Sequence, residues 1–213
     1  MSINYTTLIT QLSMLIIPMI FAVTVHEAAH AYVAKIRGDS TAYLMGRVTL
    51  NPIKHIDPIG AIILPAALML LGTGFLFGWA KPVPVNFNKL KQPKLDTILV
   101  AIAGPLSNLV MAIIWFLLWK YVPNFGFHQM ARFGITINLI LMVFNLLPIP
   151  PLDGSKVVSS LLPIKAAMQY NRLERWGFVI ILLLFIPYGQ SNIVSSIVLP
   201  IIQKLAYLMY VIF

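Results

Sequence analysis

The 213-residue sequence contains no cysteine. That excludes a disulfide framework and a thiol nucleophile, leaves nitrogen and oxygen as the metal donors, and says nothing of the redox compartment. Acids are almost as scarce, with six Asp and Glu against fifteen Lys and Arg, and all charged residues together make up only 10% of the chain. So little charge excludes an ordinary water-exposed globule. In its place stand 59% hydrophobic residues and a mean hydropathy of +0.87, the composition of a polytopic membrane protein. The net charge of +9 does not point to nucleic acid. The basic residues lie between apolar stretches, where anionic lipid headgroups and membrane topology account for them.

Apolar stretches run from about Leu8 to Val33, Ile59 to Trp79, Leu95 to Trp119, Met130 to Leu147, Trp176 to Ile186 and Ile193 to Phe213. A helix needs ~20 residues to span a bilayer, so the expected class is all-α with about five to six membrane helices. The fifth stretch is short and extends back through Arg172 and Glu174 or tilts. The first lacks a basic leader and a small-residue cleavage site, which reads as a retained span. No polar linker, low-complexity tract or repeat appears, so residues 1–213 are read as one membrane-embedded domain without a soluble accessory domain.

The second stretch is broken by Pro65 and by Gly72-Thr73-Gly74, which suggests a re-entrant hairpin over 59–79. Counting Lys and Arg favours it. If the stretch turns back, twelve of the fifteen share one side, with only Lys120 and Arg132 opposite and Lys204 inside the last stretch. The N-terminus is then outside and the C-terminus cytosolic, in a membrane expected to be that of a prokaryotic cell.

Inside the first stretch stands His26-Glu27-Ala28-Ala29-His30. A carboxylate and two imidazoles are expensive in lipid unless they bind something. On a helix, residues four apart share a face, so both histidines reach one zinc ion while Glu27, one step round, faces water that the ion polarises. Lys35 follows by nine and five residues, which puts the site about 7 to 14 Å below the cytosolic interface. A protein-lined cavity must then admit water.

A catalytic zinc takes three protein ligands. Asp39, Asp57, Asp96 and Glu174 lie in or beside basic loops, where an exposed carboxylate is the ordinary reading. Asp153 remains, after a helix end broken by Pro148, Pro150 and Pro151. It is either the third ligand or the N-cap of the next helix.

Two separated motifs carry a family resemblance: H-E-x-x-H at 26–30, and N-x-x-P-x-x-x-x-D-G formed by Asn145, Pro148, Asp153 and Gly154. Together they resemble the site-2 proteases, intramembrane zinc metallopeptidases of peptidase family M50. The resemblance implies that His26, His30 and Asp153 hold Zn2+ and that Glu27 is the general base. Ala103-Gly104-Pro105-Leu106-Ser107-Asn108 resembles the family's glycine-containing helix beside the metal helices. No PDZ or CBS domain intervenes or follows, as in the minimal bacterial and archaeal branch, whose region from Leu50-Asn51-Pro52 to Asn86 is also similar. The implied substrate is a membrane-tethered protein or peptide, cut in or near its span.

Hydrolysing a helical span requires unwinding it, because its amides are hidden in helical hydrogen bonds. Tyr43 to Leu50 has the composition of a short β element, and Pro82 to Asn86 of another; either would offer an edge to an extended substrate. Asn145 is a candidate for holding substrate backbone, or else caps carbonyls freed by the prolines. His55 and Asp57 read as turn chemistry, His128 as a loop histidine, and Trp79, Trp119, Tyr121 and Trp176 as interfacial anchors. The rival reading is a membrane transporter or metal-binding scaffold without peptidase activity. Oligomeric state is not written in the sequence.

Overall fold

A computed structural model describes residues 5–63, 67, 70, 80–186 and 192–213. In chain order its α-helices are α1 (Tyr5–Ile36), α2 (Thr41–Leu44), α3 (Pro93–Tyr121), α4 (Phe125–Asn145), α5 (Asp153–Leu161), α6 (Ile164–Asn171), α7 (Gly177–Leu184) and α8 (Ile193–Ile212). Single turns at Pro52–Lys54, Ile59–Ile63, Phe87–Lys89 and Arg172–Trp176 complete the helical elements among the described residues.

Among the described residues, four helices are long and apolar enough to cross a membrane: Ser13–Ile36 within α1, Pro93–Tyr121, Gly126–Asn145 and Ser195–Ile212. Their ends are written locally. Proline opens α3 where its missing N–H costs nothing. Asn124 accepts from Phe127 N–H to start α4, and Asn192 with Ser195 forms a capping box for α8. α4 stops at Asn145, three residues before Pro148.

The helices pack as a bundle in which α3 lies against both α1 and α4. Ala112 and Phe116 of α3, Leu139 and Val143 of α4, and Val198 and Ile202 of α8 form its main apolar core. A second cluster of Ala34, Leu90 and Val100 joins the C-terminal end of α1 to the start of α3. Outward faces remain apolar, as at Phe21, Leu106 and Val110, which suits hydrocarbon.

Three expectations change. The short β element at 43–50 is not formed: Leu44, Met45, Gly46 and Arg47 direct their N–H groups to Ser40, Thr41, Tyr43 and Ala42 carbonyls, so the donors a ladder needs are spent locally. Residues 82–86 likewise form no strand. The fifth apolar stretch extends back as expected, the turn Arg172–Trp176 running straight into α7, but it is not among the described helices long and apolar enough to cross. Four candidate spans among the described residues therefore stand where five to six were expected. The hairpin over 59–79 and the Trp79 anchor fall outside the described residues, apart from the turn at Ile59–Ile63 and residues 67 and 70.

Candidate metal centre

The α1 helix presents His26 and His30 on one side, both less than a tenth exposed, with their Nε2 atoms 3.0 Å apart. Asp153, the first residue of α5, brings its Oδ2 to 3.2 Å from His26 Nε2 and 3.3 Å from His30 Nε2. Gly154 permits the approach: a Cβ there would collide with the Leu146 carbonyl and stand 2.6 Å from that of Leu147. The start of α5 is thus pressed onto the broken end of α4.

The other ring nitrogens fix the protons. His30 Nδ1 lies 2.7 Å from the Val100 carbonyl, which can only accept, so Nδ1 donates. His26 Nδ1 lies 2.6 Å from Asn108 Oδ1. The Asn108 amide is oriented by its Nδ2, which donates to the Ala22 carbonyl at 3.1 Å and to Asn138 Oδ1 at 2.9 Å. His26 Nδ1 therefore also donates. With both Nδ1 positions protonated, each neutral imidazole turns an Nε2 lone pair toward the same point as the carboxylate.

Three potential metal-donor atoms converge, and the nearest groups to the buried Asp153 Oδ2 are the two Nε2 atoms, at 3.2 and 3.3 Å. With both imidazoles neutral and their protons on Nδ1, such a cluster is repulsive until a cation joins it. Among the described residues this is the trio of acidic or imidazole side chains whose donor atoms could hold a metal ion. The donor set suits zinc, since tetrahedral bonds of ~2.0–2.1 Å imply ligand edges of ~3.3 Å. Gly104 of α3 makes room, because a Cβ there would overlap His30 Nε2 and stand 2.6 Å from His26 Nε2.

Glu27, next to His26 on α1, accepts the Val83 N–H of the segment 80–86 through its Oε2 at 2.9 Å. That segment is irregular but pinned. Lys81 N–H reaches the His55 carbonyl at 2.9 Å, Arg47 Nη2 donates to the Lys81 carbonyl at 2.7 Å, and Asn86 N–H donates to Asp39 Oδ2 at 2.7 Å. His55 is buried and bonds through Nε2 to the Thr49 carbonyl, while Asp57 accepts from Ile59 N–H, in keeping with turn chemistry.

Asn145 closes α4, half-buried. His128 is not a loop residue; it lies in the first turn of α4, its Nε2 bonded to the Val122 carbonyl and its ring beside Trp119. Asp39 and Asp96 are not exposed carboxylates either: both are fully buried. Asp39 accepts from Thr41 and Asn86, and Asp96 accepts from Arg37 and the Gln92 N–H. Sequence reasoning assigned no role to Asn138, and named Asn108 only as the end of a helix motif. An amide in an apolar run was the available signal.

The chain matches the model of peptidase family M50 over residues 14–135 and 120–187. YwhC of Bacillus subtilis is 43% identical over 187 residues, covering 83% of this chain and 82% of that protein. Rip2 of Mycolicibacterium smegmatis is 29% identical over 171 residues, covering 78% of this chain and 64% of its own length. A shorter match of 60 residues, 45% identical, reaches MJ0611 of Methanocaldococcus jannaschii, covering 28% of this chain and 31% of that one. The names of all three describe a zinc metalloprotease. No solved structure matches the chain.

Proposed function

The chain belongs to peptidase family M50 and is a zinc metalloprotease, and from that premise we propose that it hydrolyses a peptide bond in or near the transmembrane segment of a membrane-tethered substrate. The observation that carries this reading is the convergence of His26, His30 and Asp153 inside a bundle of helices long enough to cross a bilayer. Two of the three groups, His26 and His30, sit on a helix long enough to span, which supports a substrate met within the membrane.

In this reading His26, His30 and Asp153 hold the zinc. When bound, the ion is a Lewis acid that polarises a carbonyl and acidifies water. Glu27 is the general base: its carboxylate takes a proton from water and returns it to the leaving amine nitrogen. The Val83 N–H engages one carboxylate oxygen and so fixes the side chain's direction. Asn145, at the broken end of α4, offers a neutral amide to the substrate backbone, which it can engage without burying a charge. His26 and His30 keep their lone pairs directed inward through the Nδ1 hydrogen bonds to Asn108 and Val100.

The whole sequence serves one membrane-embedded protease domain, with the active site opening to the cytosolic side. The distribution of Lys and Arg supports that orientation. A transporter or scaffold is not favoured, because neither needs a general base beside its ligands and the family is one of peptidases.

The test is cleavage of a panel of single-span peptides by detergent-purified protein, with bound zinc quantified in parallel. Zinc-dependent cleavage that disappears in Glu27→Gln with zinc retained is the expected result. Cleavage equal in the wild type and in Glu27→Gln would overturn the assignment of the base, and cleavage confined to soluble peptides would overturn the substrate class.

A further inference from the structure

Asn138 lies on α4, is fully buried, and bonds through its side chain to Asn108 and to the Gly134 carbonyl. We propose that it is a positioning residue for the metal centre, holding His26 through Asn108; this rests on the reading of His26 as a zinc ligand.

The relay has one direction. The Gly134 carbonyl can only accept, so it takes the Asn138 Nδ2 at 2.8 Å and turns Asn138 Oδ1 toward α3. That oxygen, at 2.9 Å, takes the Asn108 Nδ2, and the Ala22 carbonyl takes a second Asn108 N–H at 3.1 Å. Asn108 is left with only its Oδ1 to offer His26 Nδ1. A flipped Asn108 would set oxygen against oxygen at both Asn138 and Ala22, and would present an N–H to His26. His26 would then keep its proton on Nε2, the atom that faces Asp153, and could not give a lone pair to the metal. Four backbone or side-chain groups on α1, α3 and α4 thus set one tautomer.

Two fully buried amides are costly in an apolar bundle, and their general use is as glue between helices. Glue would need only some hydrogen bond between α3 and α4. The relay needs specifically an acceptor at 138. An aspartic acid there, neutral among apolar neighbours, keeps a carbonyl oxygen for Asn108 and an O–H for Gly134; a leucine of similar size keeps neither.

The experiment measures equilibrium zinc affinity of the full chain in detergent by competition with a chromogenic chelator, alongside thermal melting. The proteins are wild type, Asn138→Leu, the smaller Asn138→Ala, Asn138→Asp and the control His26→Ala. Loss of a ligand's outer partner generally weakens metal binding about 10–100-fold, and that is the loss expected for Asn138→Leu and Asn138→Ala, with near-wild-type affinity in Asn138→Asp. Unchanged affinity in either apolar variant, or equal losses in Asn138→Asp and Asn138→Leu, would overturn the relay. Wild-type affinity in His26→Ala would instead overturn the ligand assignment beneath it.

Discussion

Val83 donates its backbone N–H to Glu27 Oε2 at 2.9 Å, joining two residues that stand 56 positions apart. A glutamine at 27 has a carbonyl oxygen for the same bond but no capacity to take a proton. Glu27→Gln should therefore lower cleavage by ~10²–10⁴-fold, the usual worth of a general base. Its zinc content, measured by metal analysis, should equal that of the wild type.

Gly104 stands where a side chain would meet both imidazoles. Gly104→Ala should push His26 and His30 off their common point and lower zinc affinity by at least ~10-fold, judged by chelator competition. Alanine favours the helix, so far-ultraviolet circular dichroism should keep its helical signal.

Asp39 ties the start of α2 to the segment 80–86 through Thr41 and Asn86. Burial acts to raise its pKa, but hydrogen bonds from Thr41 and Asn86 and the charge of Lys89 outweigh it, and the carboxyl titrates below its ordinary value. A depressed folded pKa gives stability that is complete above the unfolded value of ~3.9 and is lost as pH falls through the folded one. Wild type should accordingly melt above Asp39→Asn at neutral pH, and the gap between their melting temperatures should close only below about pH 4.

Chelation removes the cation that reconciles three converging lone pairs. A strong chelator should abolish cleavage and lower the melting temperature, and added Zn2+ should restore both, whereas Mg2+, which prefers six oxygen ligands, should not. Asp153→Asn keeps an oxygen but loses the charge, so zinc affinity should fall in the same competition assay.

The candidate site is legible in sequence where spacing along one element decides it. His26 and His30 need only the helical period, whereas Asp153 stays open between ligand and N-cap until the distal motif and the fold bring it to the histidines. Gly104, Asn108 and Asn138 are not legible in the same way, since their roles exist only once α1, α3 and α4 are side by side. The same reason hides Asp39 and Asp96, whose partners Asn86 and Arg37 lie 47 and 59 positions away. At 43–50 local composition misleads: β-branched and aromatic residues favour a strand, but hydrogen bonds back to Ser40, Thr41 and Ala42 keep the chain turned on itself. The spans illustrate a third case. Hydropathy finds apolar stretches without saying which become long helices, and Trp176 to Ile186 yields only α7.

The most direct test of intramembrane proteolysis is to map the scissile bond. A peptide with one apolar span and polar flanks is reconstituted with the purified protein in liposomes, and its products are weighed by mass spectrometry. Zinc-dependent fragments whose new ends lie within or next to the apolar span are the predicted result; fragments cut only in the distant polar flanks, or the same fragments from Glu27→Gln, would contradict it.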